Sequence, residues 1–213
     1  MNETATIAVF GATGKVGREF VEQALNAGYR IRALVRNEAK LGQAENPNVE
    51  AIVGDATRAT DVAKAITGAD IVASLLGNPP GRRAQRIMFD ATAAIMTAAA
   101  AQPTPPRCLM ISSIGVGGSS WMIKGMLTLI GGRAGFADYE RAEARVRAET
   151  TASFVVIRPY ALTDKPGTGR YRVLEGKTVH FAKSIPRADV ARFFFDCLES
   201  TQWDGACVNI GGV

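Results

Sequence analysis

Seven residues, Gly11-Ala12-Thr13-Gly14-Lys15-Val16-Gly17, stand between an apolar run at Thr6–Phe10 and a segment with helical periodicity. Glycine in such a turn lets backbone approach a ligand closely, and a helix N-terminus presents unpaired N–H groups and a positive dipole end. This suits a pyrophosphate, so Gly11, Thr13, Gly14, Lys15, Val16 and Gly17 are expected to cradle a dinucleotide. Arg36 closes the second apolar run, where NAD-binding units usually carry Asp or Glu for the ribose hydroxyls. A guanidinium pairs there with a 2′-phosphate that a carboxylate would repel, so NADP(H) is the expected cofactor. After the third run, Gly54-Asp55-Ala56 is the kind of polar turn that borders an adenine ring. Asp55 either accepts from the adenine amino group or caps the next helix. Leu76-Gly77-Asn78 after the fourth run is expected to pass the ribose, Gly77 permitting close approach.

These residues need a scaffold in which strand ends converge. Apolar, β-branched runs at 6–10, 31–35, 49–53, 71–76, 107–112 and 154–158 alternate with helical segments. That alternation implies a parallel sheet covered on both faces, an α/β Rossmann-type doubly wound domain. The first helix carries Val16, Phe20, Ala24 and Ala27 at helical spacing, with Gly28 as its C-terminal cap. The next spans 59–67, ended by Gly68; the third spans 83–101, stopped by Pro103, Pro105 and Pro106. A helix from 186 to 200 and a last strand around 206–210 complete the pattern. One domain over 1–213 is expected, with a small C-terminal substrate lobe drawn mainly from 115–136 and 159–184.

Composition excludes several classes. At 213 residues and 47% hydrophobic content the chain builds a substantial core and is not disordered. Its apolar runs are too short to span a bilayer and its N-terminus has no secretory pattern, so no membrane association and a cytoplasmic location are expected. The net charge of +5 is spread over scattered arginines, among them Arg18, Arg36, Arg58, Arg82, Arg107 and Arg147, so no nucleic-acid footprint is expected. Cys108, Cys197 and Cys207 are odd in number and far apart, which points to buried thiols without a disulfide or metal site.

The segments Gly-Ala-Thr-Gly-Lys-Val-Gly, Ala-Leu-Val-Arg, Val-Gly-Asp-Ala, Leu-Leu-Gly-Asn, Ile-Ser-Ser-Ile-Gly, Val-Ile-Arg-Pro-Tyr and Gly-Thr-Gly-Arg-Tyr occur in order over nearly the whole chain. Together they resemble the atypical short-chain dehydrogenase/reductases, which include NmrA-like proteins and the biliverdin IXβ reductase/flavin reductases. In typical members a Ser orients a carbonyl and a Tyr-x-x-x-Lys pair donates the proton. Here Ser112 and Ser113 end the fifth run, but Tyr139 is followed four residues on by Glu143. A carboxylate there would raise a phenol pKa, so Tyr139 is expected to pack on a helix face. The flavin/biliverdin subgroup similarly lacks the dyad and sets the nicotinamide beside a flat acceptor. By that resemblance Ser113 and Tyr160 are the expected catalytic residues, with Ser112 and Pro159 beside the cofactor. His180, the sole histidine, is expected to take no part.

The substrate is expected beyond the carboxyl ends of the strands. Trp121–Ile130 reads either as a core-facing helix or as a lid or dimer surface, while Arg82, Arg83 and Lys124 read either as solvated loop charges or as partners for carboxylates or a phosphate of the substrate. The resemblance implies an NADPH-dependent reductase acting on a small planar acceptor such as a flavin or quinone. Its alternative is a non-catalytic NADP(H)-binding redox sensor of the NmrA-like kind. A homodimer is left open.

Overall fold

A computed structural model describes residues 5–77, 86–117, 133–174 and 183–213. The expectations for Asn78, Arg82, Arg83, Trp121–Ile130 with Lys124, and His180 lie outside these residues. In chain order the elements are β1 (Thr6–Phe10), α1 (Lys15–Asn26), β2 (Arg30–Val35), β3 (Val49–Val53), α2 (Ala59–Ile66), β4 (Ile71–Ser74), α3 (Ile87–Ala100), β5 (Arg107–Ile111), α4 (Arg133–Arg147), β6 (Phe154–Pro159), β7 (Leu162–Thr163), β8 (Arg172–Leu174), β9 (Ile185–Pro186), α5 (Arg187–Glu199) and β10 (Cys207–Gly211).

Eight strands form one sheet in the order β3-β2-β1-β4-β5-β6-β10-β8. All neighbouring pairs are parallel except β10 with β8, so β8 is an antiparallel edge that the sequence pattern did not announce. The chain grows outward from β1 in one direction to β3 and then restarts on β1's other side with β4. That reversal makes the β1/β4 boundary the point where loops diverge and leave a crevice.

β1 shows why this sheet is buried on both faces. Ile7 and Val9 enter a core that includes Phe20 of α1 and Phe193 and Phe194 of α5, while Ala8 and Phe10 enter the opposite core with Val62 of α2 and Met96 of α3. The alternation follows the two-residue period of a strand. Phe20 and Phe194 meet edge to face at 6.0 Å between ring centres, which locks α1 against α5.

Helix ends obey local chemistry. Beyond α1, the Gly28 N–H donates to Leu25 O and the Tyr29 N–H to Ala24 O, with Gly28 at φ +91°. This is a Schellman cap, whose left-handed residue favours glycine. Ala27 lies past the last helical turn and is exposed, so it does not extend the apolar stripe. The buried Asp138 of α4 accepts from the Met88 and Phe89 N–H groups and so caps α3 from a neighbouring helix. After β6, Leu162–Thr163 pairs with Ile185–Pro186 in a small parallel ribbon above the main sheet. No helix among the described residues is long and apolar enough to cross a membrane.

Candidate functional site

A cleft of about 410 Å³ opens at the β1/β4 boundary. Its walls come from the ends of three strands: Gly11, Thr13 and Gly14 after β1, Arg36 after β2, and Leu76 and Gly77 after β4. Asp55 and Ala56, after β3, close the far end. The fold thus brings together eight of the expected cofactor residues. Leu34, Val35, Gly54, Thr57, Leu75 and Ile87 also line the cleft. Leu34, Val35, Gly54 and Leu75 fall within segments already singled out in the sequence, whereas Thr57 and Ile87, the latter at the start of α3, carry no sequence signal.

The glycines fit the cradle in different ways. Gly11 has φ +88°, and a Cβ there would stand 2.8 Å from the Leu75 carbonyl. Only glycine lets β1's exit lie against β4's. A Cβ at Gly17 would stand 2.1 Å from Gly11 O, so this glycine seats α1 against the loop. Gly14 is the helix N-cap and has no side chain to satisfy the first-turn donors, and that turn holds no acidic residue. The first N–H groups and the dipole of α1 therefore remain available for an anion at the cleft mouth. Arg18 braces the loop from behind, its Nε donating to Thr13 O at 3.2 Å and its guanidinium also to Lys40 O at 3.2 Å.

Exposed Arg36 lines the cleft without an ion-pair partner among the described residues. Asp55 opposite is occupied: its Oδ1 accepts from the Thr57 N–H at 2.8 Å and the Thr57 hydroxyl at 2.7 Å. Those hydrogen bonds, helped by the charges of Arg36 and Arg58, hold its carboxyl below the ordinary range despite some desolvation. The turn so formed precedes α2, whose N-cap is Arg58, so Asp55 does not cap that helix. A glycine-lined cleft of this size, with a helix N-terminus at one end and an uncommitted guanidinium at the other, fits a dinucleotide.

The remaining expected residues lie elsewhere. Val16 and Gly17 are buried beneath the loop. Lys15 points toward the small ribbon, where its Nζ donates to Asp164 Oδ2 at 2.6 Å; Arg187 pairs with the other oxygen of the same carboxylate at 2.5 Å. The Lys15 hydrogen bond and both cations lower the Asp164 pKa. Ser113 and Tyr160 stand at adjoining strand ends, because the Ile114 N–H donates to Pro159 O and the Tyr160 N–H to Ile210 O. Pro159 is buried beside them.

Ser112 has a different setting from the one expected. It is buried, and its hydroxyl donates to Glu143 Oε1 at 2.5 Å. Arg158 of β6 grips the same carboxylate with both sides of its fork, Nε to Oε1 at 2.8 Å and a terminal nitrogen to Oε2. Burial draws the Arg158 pKa down, and Glu143 more than offsets it, so the guanidinium stands above its ordinary value. Glu143 is therefore neutralised by Arg158, a partner fifteen residues away that the sequence reading left out. Tyr139, one helical turn earlier, sets its hydroxyl beside the cleft: a Cβ built on Gly77 would lie 3.6 Å from it.

Comparison with known proteins agrees with this geometry. A family profile described as NAD(P)H-binding matches residues 11–201. Among curated relatives, the photosystem II assembly factor Ycf39 of Cyanophora paradoxa is 37% identical over 67 residues, 32% of this chain, and the match spans only 21% of that protein. Among solved structures, ChuY of Escherichia coli O157:H7, described as an anaerobillin reductase, is similar with TM-score 0.78 at 22% identity, over 97% of this chain and 96% of that one. A short-chain dehydrogenase/reductase of Veillonella parvula in complex with NADP is similar with TM-score 0.83 at 16% identity, over 97% and 94%.

Proposed function

We propose, for a chain that belongs to the NAD(P)H-binding family, that it is an NADPH-dependent reductase passing hydride to a flavin, quinone or similar conjugated acceptor. The observation that carries this reading is the Ser112–Glu143–Arg158 cluster. A dehydrogenase relay needs a serine facing the substrate and a cation that lowers a phenol pKa. Here the position four after Tyr139 holds a carboxylate engaged by Ser112 and Arg158 instead of a lysine, so what the relay lacks is its cation, while Ser113 next door stays free of that cluster. A conjugated acceptor has no need of such a relay, since its electrons delocalise and solvent supplies the proton.

In this reading the backbone of Gly11–Gly14 and the α1 N-terminus hold the pyrophosphate, and Arg36 takes the 2′-phosphate. Leu75 to Gly77 confine the ribose, and Ser113 and Tyr160 flank the acceptor side. The bound cofactor supplies the hydride, and the chain's part is orientation, an effect worth several kcal/mol when reacting atoms are held about 3–3.5 Å apart. The NADP complex of the V. parvula protein and the description of ChuY as a reductase are consistent with it.

The missing lysine also favours a second reading, a non-catalytic NADP(H) sensor of the NmrA-like kind. NADPH oxidation against a panel of flavins, quinones and aldehydes separates the two. Turnover with a flavin or quinone, largely retained in Tyr139→Phe and reduced in Ser113→Ala, supports the reductase. Tight NADPH binding without turnover on any acceptor supports the sensor.

A further inference from the structure

Away from the cofactor cleft, a second concavity of about 520 Å³ runs along the outer edge of the sheet, lined by Arg170, Tyr171, Arg172, Arg192, Asp196 and Val213. Three guanidinium groups face the side-chain carboxylate of Asp196, which is already engaged, and Val213 stands at the same rim. Asp196 accepts from the Tyr171 hydroxyl at 2.7 Å and pairs with Arg192 at 2.8 Å. Among the described residues, neither Arg170 nor Arg172 has a carboxylate partner.

The backbone under these two arginines is held firmly. Buried Asp189 accepts from the Thr168 N–H, the Thr168 hydroxyl and the Gly169 N–H, each at 2.8 Å. The Arg170 N–H in turn donates to the Thr168 hydroxyl. The Tyr171 ring packs edge-on against Phe193, 4.9 Å between centres, and Arg172 is paired across β8 with Gly211 of β10. Ordinary surface arginines sit on mobile stems over mixed charges. Here the stems start from a fixed platform, so less ordering is lost when an anion is gripped.

We propose that this cavity is a second anion site, taking a carboxylate or phosphate group of a small molecule in the forks of Arg170 and Arg172. Two sources share that chemistry. Gly211 of β10 lies between Arg172 and the end of β6 that carries Tyr160. Two strand spacings, about 10 Å, separate the two, within reach of an acid group on an extended acceptor. The other source is a free anion. The site stands on the arginine geometry alone; only the acceptor source rests on the proposed reductase activity.

The test is an amide NMR titration of the full chain with inorganic pyrophosphate, on wild type and on R170A/R172A. Saturable shifts are expected at Gly169, Arg172 and Gly211, and the double variant should bind about tenfold or more weakly there. Shifts around Gly11–Gly17 from the cofactor cleft should be unaffected by the substitution. R30A/R147A, which removes two exposed charges elsewhere, should titrate like wild type. Shifts confined to residues 11–17, an unchanged R170A/R172A, or an equal loss in R30A/R147A would each overturn the site. Turnover then identifies the source. A KM for FMN raised about tenfold in R170A/R172A, with that for menadione unchanged, places an acceptor's phosphate in the cavity. Equal KM values leave a free anion as the occupant. If no acceptor turns over, the titration still decides whether the site exists.

Discussion

Replacing Glu143 by Gln probes the cluster that separates this chain from a typical dehydrogenase. The amide keeps an oxygen for Ser112 and Arg158 but removes the charge opposite a guanidinium whose side chain is only 8% exposed. Breaking one partner of a buried pair leaves the other uncompensated, at a cost of about 3–5 kcal/mol. For a domain of this length that lowers Tm by about 6–20 °C. The assay is thermal and urea unfolding of wild type, Glu143→Gln, Arg158→Leu and the double variant E143L/R158L. Both single variants should lose several kcal/mol. The double variant should recover much of that, because apolar groups of similar volume avoid the desolvation that the ion pair carries. Arg158 also packs against Gly117, where a Cβ would meet its terminal nitrogen at 2.2 Å, so some loss from the altered loop contact should remain. A Glu143→Gln variant within about 1 kcal/mol of wild type would refute the reasoning, since it would mean that the carboxylate does not compensate Arg158.

Gly17→Ala should cost about 1–3 kcal/mol and weaken NADPH binding, because its Cβ would meet Gly11 O at 2.1 Å. Gly14→Ala, 3.2 Å from the same oxygen, should cost less; a Gly17→Ala protein that melts like wild type would contradict this. Burial pushes the Cys108 and Cys197 thiols up to about 12, so near pH 8 a thiol reagent should label neither in the native protein, and labelling of both before unfolding would count against their burial. Desolvation and the bond to Glu199 push the Tyr29 phenol up from 10.0 to about 12, which favours the neutral phenol in the folded state. Stability from this group is present below pH 10 and lost as pH rises toward 12, so wild type should lose Tm over that window more steeply than Tyr29→Phe.

Residues that act through their neighbours in sequence were legible before the structure. The turn from β1 into α1, the Gly28 cap, and Arg36 at the end of β2 all follow from local spacing, and the glycine turn and Arg36 meet in one cleft. Residues that act through distant partners were not. Glu143 read as an isolated carboxylate because Arg158 faces it only when β6 lies beside α4. Nothing in the local sequence marks Asp138 or Asp189, yet each is buried because it satisfies backbone N–H groups of a separate segment. Lys15 takes its place in the phosphate loop from local spacing, while its Asp164 partner, 149 residues away, is visible only in the fold. β8 escaped notice because a three-residue strand on an antiparallel edge leaves too short a pattern to detect.

The most direct measurement is calorimetric titration of the full chain with NADPH and with NADH. NADPH should bind at one site about tenfold or more tightly, since a charge-assisted pair from exposed Arg36 to the 2′-phosphate contributes about 1.5 kcal/mol or more. Arg36→Ala should bring the two affinities together chiefly by weakening NADPH. Equal affinities in wild type, or a preference that survives Arg36→Ala, would contradict the assignment of this cleft to NADP(H).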